Sequence, residues 1–572
     1  MPTPAPWLAY YGGMAAHIDY PDKTMWEMVF DAAAQWPDNT AYDFMNRRTP
    51  FRALPARIEH VARALLAQGV RPGDRVMVCL PNCPQAVDTF YACNRIGALA
   101  AMIHPLSAPR EIEDYLRSSR SRLIVTLDQF WEKVRTAADA VQPAPVVVVT
   151  SIAAELPPLT AAAYRLSQLK KHIRPRRCLG WKMFLQAGEG TALPPCPLKA
   201  DDGAVILYSG GTTGTSKGIL LSSRNFNALG LQTEEASGCK PLAGMTMLSV
   251  MPVFHGFGLG IGIHTPLIAG AACILVPQFS IDSYAKLVMK KRPSFIPGVP
   301  TLFEALLRAE RLKNADLSFL RGVFCGGDTL TVELKRKVDA FLAAHGSPVQ
   351  IREGYGTTEC VTASCLTPVQ QHREGSIGIP FPDMYYTITV PGTTDECPAG
   401  TEGEICLRGP TVMLGYFDAP EETAQALRRH ADGRLWLHTG DLGMMDADGF
   451  VYFRQRIKRM IITSGYNVYP SQIENILDAH EKVLLSCVIG VKDDYRMQRV
   501  RAYVVPRPGV APDEALRQEL LAWCRERIAR YAMPREILFR DELPKTLVGK
   551  VAYRVLEEQA AAEQAGEGQS HG

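Results

Sequence analysis

No CxxC pair occurs among the 14 cysteines of this 572-residue chain, and its nearest neighbours are Cys79 with Cys83 and Cys360 with Cys365. Dispersed cysteines in a chain of this size argue against a disulfide scaffold and for reduced thiols in the cytoplasm. Charge of one sign is scarce as well. The net charge is +3, and no zinc finger, RNA-binding signature or long basic arm is present, so nothing argues for a nucleic-acid partner. The opening MPTPAPWLAYYGG lacks a charged start followed by an apolar core, so no signal peptide is expected. The most apolar long stretch, residues 259–277, is broken by Gly, Pro, Thr and His, which suits buried strand and helix rather than a membrane span. What remains is ordinary globular composition, 47% hydrophobic and 21% charged, in a chain too long for a single core. Two or more domains are expected.

The richest stretch is LYSGGTTGTSKG at residues 207–218. An apolar run, 205–208, enters a loop made of Ser209, Gly210, Gly211, Thr212, Thr213, Gly214, Thr215 and Ser216 and closed by Lys217. Glycines let backbone N–H groups approach phosphate oxygens, hydroxyls add donors, and the lysine supplies countercharge. A Walker A loop requires Gly-Lys-Ser/Thr, whereas Lys217 lies between Ser216 and Gly218. Taken alone, the loop is also compatible with a solvated turn, the less favoured reading.

Helical spacing of Ile58, Val61, Ala62, Leu65 and Leu66 ends at Gly69, and a strand-like run at 75–80 follows. Further short apolar runs at 146–150, 205–208, 273–276 and 323–325 alternate with helical patterns. That alternation predicts an α/β fold with largely parallel sheets. Asp448-Gly449 reads as a turn before a strand, Ser471 with Glu474 as a capping box opening a helix, and 487–491, 501–505 and 514–530 as two strands and a helix of a compact α+β unit. The tail from Ala560 is poor in apolar residues and is expected to be disordered over 560–572. The segment around 165–185 carries Lys170, Lys171, Arg174, Arg176 and Arg177 among Leu166, Leu169, Ile173 and Trp181. A patch of this kind suits weak peripheral contact with an anionic membrane, although a solvated surface helix or loop is the favoured reading.

Four further motifs follow the glycine-rich loop in order: GYGTTE (354–359), HTGDLG (438–443), RIKRMIITSGYNVYPSQIE (456–474) and PKTLVGK (544–550). Their wording and order resemble the adenylate-forming superfamily over nearly the whole chain, and most of all its bacterial medium- and long-chain fatty acyl-CoA ligases. The resemblance implies a large N-terminal domain, 1–457, of two α/β subdomains and a small β-barrel, followed by a mobile lid domain, 458–559, hinged at Lys458. It implies an enzyme that joins a carboxylic acid to AMP with release of pyrophosphate, then passes the acyl group to coenzyme A, using ATP and Mg2+.

The same resemblance distributes the roles. Lys550 is the adenylation lysine, Lys217 and Thr358 face the phosphates, and Glu359 holds magnesium. Tyr355 and Gly356 lie against adenine, with Gly326, Gly327 and Asp328 beside them. Asp441 and Arg456 take the ribose. Gly465 approaches the pantetheine arm, and His255, Phe257 and Cys360 line the acyl pocket. Chemically the assignments are sensible. A carboxylate attacking an anionic phosphate needs its charge neutralised and its atoms held in line, and a hard cation prefers oxygen ligands. Without the resemblance Glu359 is a helix-start residue, Asp328 a turn former, Arg456 a structural ion-pair partner, His255 a core histidine and Gly465 a left-handed turn residue.

Some positions depart from the superfamily pattern: Ser216 replaces a proline, Arg459 stands where an acidic residue commonly follows the hinge lysine, and Gln455 and Tyr553 are atypical. None removes a group the chemistry needs. A ligase loading a carrier protein, and a CoA ligase for aryl or bile-type acids, are the alternatives within the class. A non-catalytic sensor would be expected to lose Lys550, Glu359 or Lys217, and all three are present. Monomer and homodimer are both left open.

Overall fold

The structure is a computed structural model that describes residues 5–170, 177–209, 217–463, 466–493, 495–546 and 551–569. Mixed α/β architecture divides into a large N-terminal and a small C-terminal domain, and four sheets are present among the described residues. In the first, strands Ile351–Tyr355, Gly322–Cys325, Phe295–Gly298, Thr246–Ser249, Ala272–Leu275 and Thr40–Phe44 lie side by side and parallel. In the second, Gly203–Ser209, Leu99–Met102, Arg75–Cys79, Leu123–Leu127 and Val146–Thr150 are parallel, with Lys217–Ser222 and Gly415–Tyr416 added antiparallel at one edge. Their near-continuous burial explains why these strands read as unbroken apolar runs. The helix Leu54–Ala67 buries Ile58, Val61, Ala62 and Leu65 and stops where Gly69 takes φ +80°.

Where a small barrel is expected, Tyr385–Thr389, Gly403–Arg408, Leu435–Met445 and Leu427–Arg429 pair antiparallel, with Val451–Arg456 on Leu435–Met445. No described pairing closes these strands into a ring. The short turn Ile457–Arg459, which contains Lys458, leads out of this sheet. Beyond it Ile461, Val488, Val500, Leu520 and Ile537 form a separate core.

Two sequence expectations are corrected here. The tail does not lose structure at Ala560: helix Tyr553–Gln569 runs through it, Ala560 is buried beside Tyr503 and Leu556, and Glu563 pairs with Arg501 at 2.8 Å. Low apolar content concealed one well-placed small residue and one ion pair. Nor do Ser471 and Glu474 form a capping box. Helix Pro470–Asp478 has no side-chain cap bond, Ser471 Oγ donates to the Arg454 carbonyl at 2.5 Å, and Glu474 pairs with Arg459. Long-range partners took both side chains. No described helix is long and apolar enough to cross a membrane. Of the basic patch, residues 171–176 lie outside the described residues.

Candidate active site

Parallel strands Gly322–Cys325 and Ile351–Tyr355 run in register, with Cys325 opposite Glu353. Their following segments, 326–328 and 356–359, therefore emerge together at one carboxyl edge, where open α/β sheets hold ligands. Backbone demands explain two of the glycines. Gly327 has φ +82°, and a Cβ on Gly356 would lie 1.6 Å from the Thr362 carbonyl oxygen. Asp328 is exposed and accepts from the Thr329 N–H at 2.9 Å, so it serves its own turn at the rim of the cleft.

Tyr355 reaches from this edge to the small sheet, where its hydroxyl donates to Asp441 Oδ2 at 2.7 Å. Asp441 is only 2% exposed, and Arg456, directly across the strand pair, brings Nε to 3.2 Å from Oδ1. Burial, then the Asp441 charge, pushes the Tyr355 phenol well above its ordinary value, so it remains a donor. The Asp441 charge first raises Arg456 against the cost of burial, with Tyr355 and Glu359 adding to the effect.

A second group lies close enough for Arg456 to feel its charge. Glu359 sits in the short turn Thr358–Cys360, and its Oε1 accepts from the Tyr416 hydroxyl at 2.9 Å. Tyr416 is held by pairing of Gly415–Tyr416 with Lys217–Ser222, and the Lys217 ammonium lies 5.0 Å from its ring centre. The structure thus brings Lys217, Tyr416 and Glu359 together from three distant parts of the sequence. Sequence reasoning missed Tyr416, because a tyrosine between Gly415 and Phe417 carries no charge and looks like an edge strand. The half-buried Glu359 carboxylate is a hard-oxygen donor of the kind that suits magnesium.

Phe257 begins the π-helical segment Phe257–His264, is buried, and approaches Gly326, with Cε1 3.9 Å from where a Gly326 Cβ would stand. His255 precedes it, and its Nδ1 accepts from the Phe257 N–H at 3.2 Å. Cys360 is buried, and its Sγ turns to the Thr357 N–H and carbonyl, both at 3.3 Å, so the thiol closes its own loop. A cleft of about 520 Å³ joins the large domain at Asp328, Tyr355 and Asp441 to the small domain at Arg459, Glu474 and Tyr553. Gly210, Gly211, Thr212, Thr213, Gly214, Gly465 and Lys550, and the side chain of Ser209, lie outside the described residues.

With this geometry in place, the comparisons are direct. Residues 29–417 match the AMP-binding enzyme family and residues 472–550 match the AMP-binding enzyme C-terminal domain. The chain therefore belongs to the AMP-binding enzyme family, as an ATP-dependent, AMP-forming acid–CoA ligase. It is 35% identical to a long-chain-fatty-acid–CoA ligase of Bacillus subtilis, over 98% of this chain and 99% of that one. It is 32% identical to a feruloyl-CoA synthase of an Amycolatopsis species, over 90% of this chain and 94% of that one. Among solved structures, ATP-bound MatB from Rhodopseudomonas palustris aligns with a TM-score of 0.79 and 27% identity, covering 94% of this chain and 99% of that one.

Proposed function

We propose that the enzyme activates a medium- or long-chain fatty acid, converting it with ATP and coenzyme A to acyl-CoA, AMP and pyrophosphate. The carrying observation is the Tyr355–Asp441–Arg456 group on the cleft between the two domains, with the Lys217–Tyr416–Glu359 group close enough for the Glu359 charge to act on Arg456. Asp441 accepts from the ribose hydroxyls, Arg456 approaches the same sugar, and Tyr355 and Gly356 present a face to adenine. Glu359 would hold magnesium, which when bound would neutralise phosphate charge, and Thr358 faces the α-phosphate. Lys217 adds a further positive charge. The substrate carboxylate then attacks the α-phosphorus, the bond to the β-phosphate oxygen breaks, and pyrophosphate leaves. Lys550 offsets charge as the carboxylate and α-phosphate meet.

In the second half-reaction the small domain, divided from the large one at 457/458, turns about Lys458. Lys550 withdraws, and Gly465 lets the pantetheine arm approach. The thiolate of coenzyme A attacks the acyl carbon, and AMP departs with the electron pair. His255, Phe257 and the 360–363 loop line the acyl channel. Long-chain ligases among the relatives support the fatty-acid reading, and the feruloyl relative at similar identity keeps an aryl acid as the second reading. Pyrophosphate release measured over fatty acids of graded length and over ring acids separates them. Activity confined to ring acids would overturn the fatty-acid assignment, and release of acyl product only to a phosphopantetheinylated carrier would overturn coenzyme A as acceptor.

A further inference from the structure

Asp441 owes its position to an irregularity in the strand that carries it. Between the pairs Glu404–Leu442 and Cys406–His438, residues 439–441 of strand Leu435–Met445 face the single residue 405 of its neighbour. A bulge of this kind redirects side chains and leaves backbone groups without ladder partners. Gly440 adopts φ +70° inside it. One side chain fills the gap. Glu404 Oε1 accepts from the Gly440 N–H and Oε2 lies 3.0 Å from His438 Nδ1, also at 3.0 Å for the amide. Thr439 Oγ1 completes the frame, donating to the Ile405 carbonyl at 2.7 Å and accepting from the Asp441 N–H at 3.1 Å.

Glu404 is 5% exposed. Burial alone would raise its carboxyl, but the His438 hydrogen bond and charge outweigh this and hold it below the ordinary carboxylate range. As an ionised acceptor it requires the proton on His438 Nδ1. His438 Nε2 lies 3.0 Å from His430 Nε2, and His430 is stacked on Trp436. The donor atoms of Cys406, His430 and His438 fall within 4.8 Å of one another, but this chain of bonds engages both nitrogens of His438.

We propose that Glu404 is a positioning residue for nucleotide binding: its carboxylate locks the 439–441 bulge from behind and so aims Asp441 at the ribose. The inference rests on the reading that Asp441 holds the ribose. Glu404 touches no nucleotide and acts through Asp441. Its two ties, one to a backbone amide and one to an imidazole, cannot both be reproduced by an amide, which accepts through only one of its two heavy atoms.

The test is a double-mutant cycle on the full chain, read as AMP affinity by calorimetry, with melting followed in parallel. E404Q is expected to weaken AMP binding about tenfold, as for loss of a charge-assisted bond, and D441N to weaken it at least as much. The double variant is expected to bind no more weakly than D441N alone. T439V, which releases the other side of the bulge, should show the same non-additivity and serves if E404Q does not fold. Affinity within twofold of the parent in E404Q, or losses that multiply in the double variant, would overturn the proposal. So would tightly bound stoichiometric zinc or copper in the purified protein, since His438 would then be a ligand. Failure of the unaltered chain to bind AMP at all would instead remove the ribose reading beneath it.

Discussion

On the large-domain wall of the cleft, Tyr355 is tied to Asp441 at 2.7 Å, and in the same domain Tyr416 is tied to Glu359 at 2.9 Å, each bond joining segments far apart in sequence. On the facing wall, the bonds turn inward. Arg459 pairs with Glu474, Glu474 accepts from the Val488 N–H at 2.7 Å, and the Arg459 guanidinium lies 4.9 Å from the Tyr553 ring centre. The Ser471 bond to the Arg454 carbonyl and the turn Ile457–Arg459 connect the two domains. One wall is organised before any ligand arrives, which is how electrostatic stabilisation avoids reorganisation during reaction. The other wall pairs its main charge, Arg459, with Glu474 of its own domain, which keeps that buried guanidinium compensated without help from the large domain.

The largest expected effect tests that division on the lid side. Lys550→Ala should reduce ATP–pyrophosphate exchange on the order of a hundredfold or more, while thioester formation from supplied acyl-AMP survives. Unchanged exchange would remove Lys550 from the first half-reaction. In the large domain, Glu359→Gln should reduce adenylate formation by about a hundredfold as well, with pyrophosphate release at saturating ATP, without coenzyme A, as the measure. A loss confined to the thioester step would contradict its placement with the phosphates.

Much of this was legible in the sequence. The parallel strands announced themselves because burial on both faces leaves nothing but apolar residues, whereas the motifs 354–359 and 438–443 received their roles through their resemblance to the adenylate-forming superfamily. What escaped was decided by contacts between distant segments. Tyr416 carries no charge and sits 57 residues from Glu359. Ser471 and Glu474 have capping-box spacing, yet Arg454 and Arg459 claimed them. Ala560 looked like part of a polar tail because nothing local shows that Tyr503 lies beneath it. The bulge that aims Asp441 was equally hidden, since strand register is a property of two segments and not of one.

Arg459 sharpens the contrast between the walls. It departs from the acidic residue common after the hinge lysine, and the structure turns it into the small domain rather than toward the cleft's nucleotide side. Burial would lower the guanidinium, but Glu474, with Cys487 and Asp328 further off, keeps it charged. Arg459→Ala should therefore cost the small domain roughly 1.5–3 kcal/mol, the range for a hydrogen bond to a charged partner. Hydrogen exchange in strand Val483–Asp493 reads that loss. Equal loosening of Ile351–Tyr355 would show that the walls are not separately held.

The smallest effect belongs to Tyr416, and it separates two contributions that the large-domain wall combines. Its hydroxyl donates to Glu359 while its ring faces the Lys217 ammonium. Tyr416→Phe keeps the ring and deletes the bond, so Glu359 loses one donor while the ring stays beside the lysine. The expected loss in kcat for adenylation is about three- to tenfold, a fraction of the worth of a fully buried charged bond because both residues are only half-buried. Tyr416→Leu also removes the aromatic face, worth roughly 0.5–1 kcal/mol against a partly exposed cation, and should fall a few-fold further, with a higher KM for ATP. If phenylalanine and leucine behave alike, the ring does not position Lys217. If phenylalanine matches tyrosine, Glu359 is held by its turn alone, and the wall is organised by backbone rather than by its side chains.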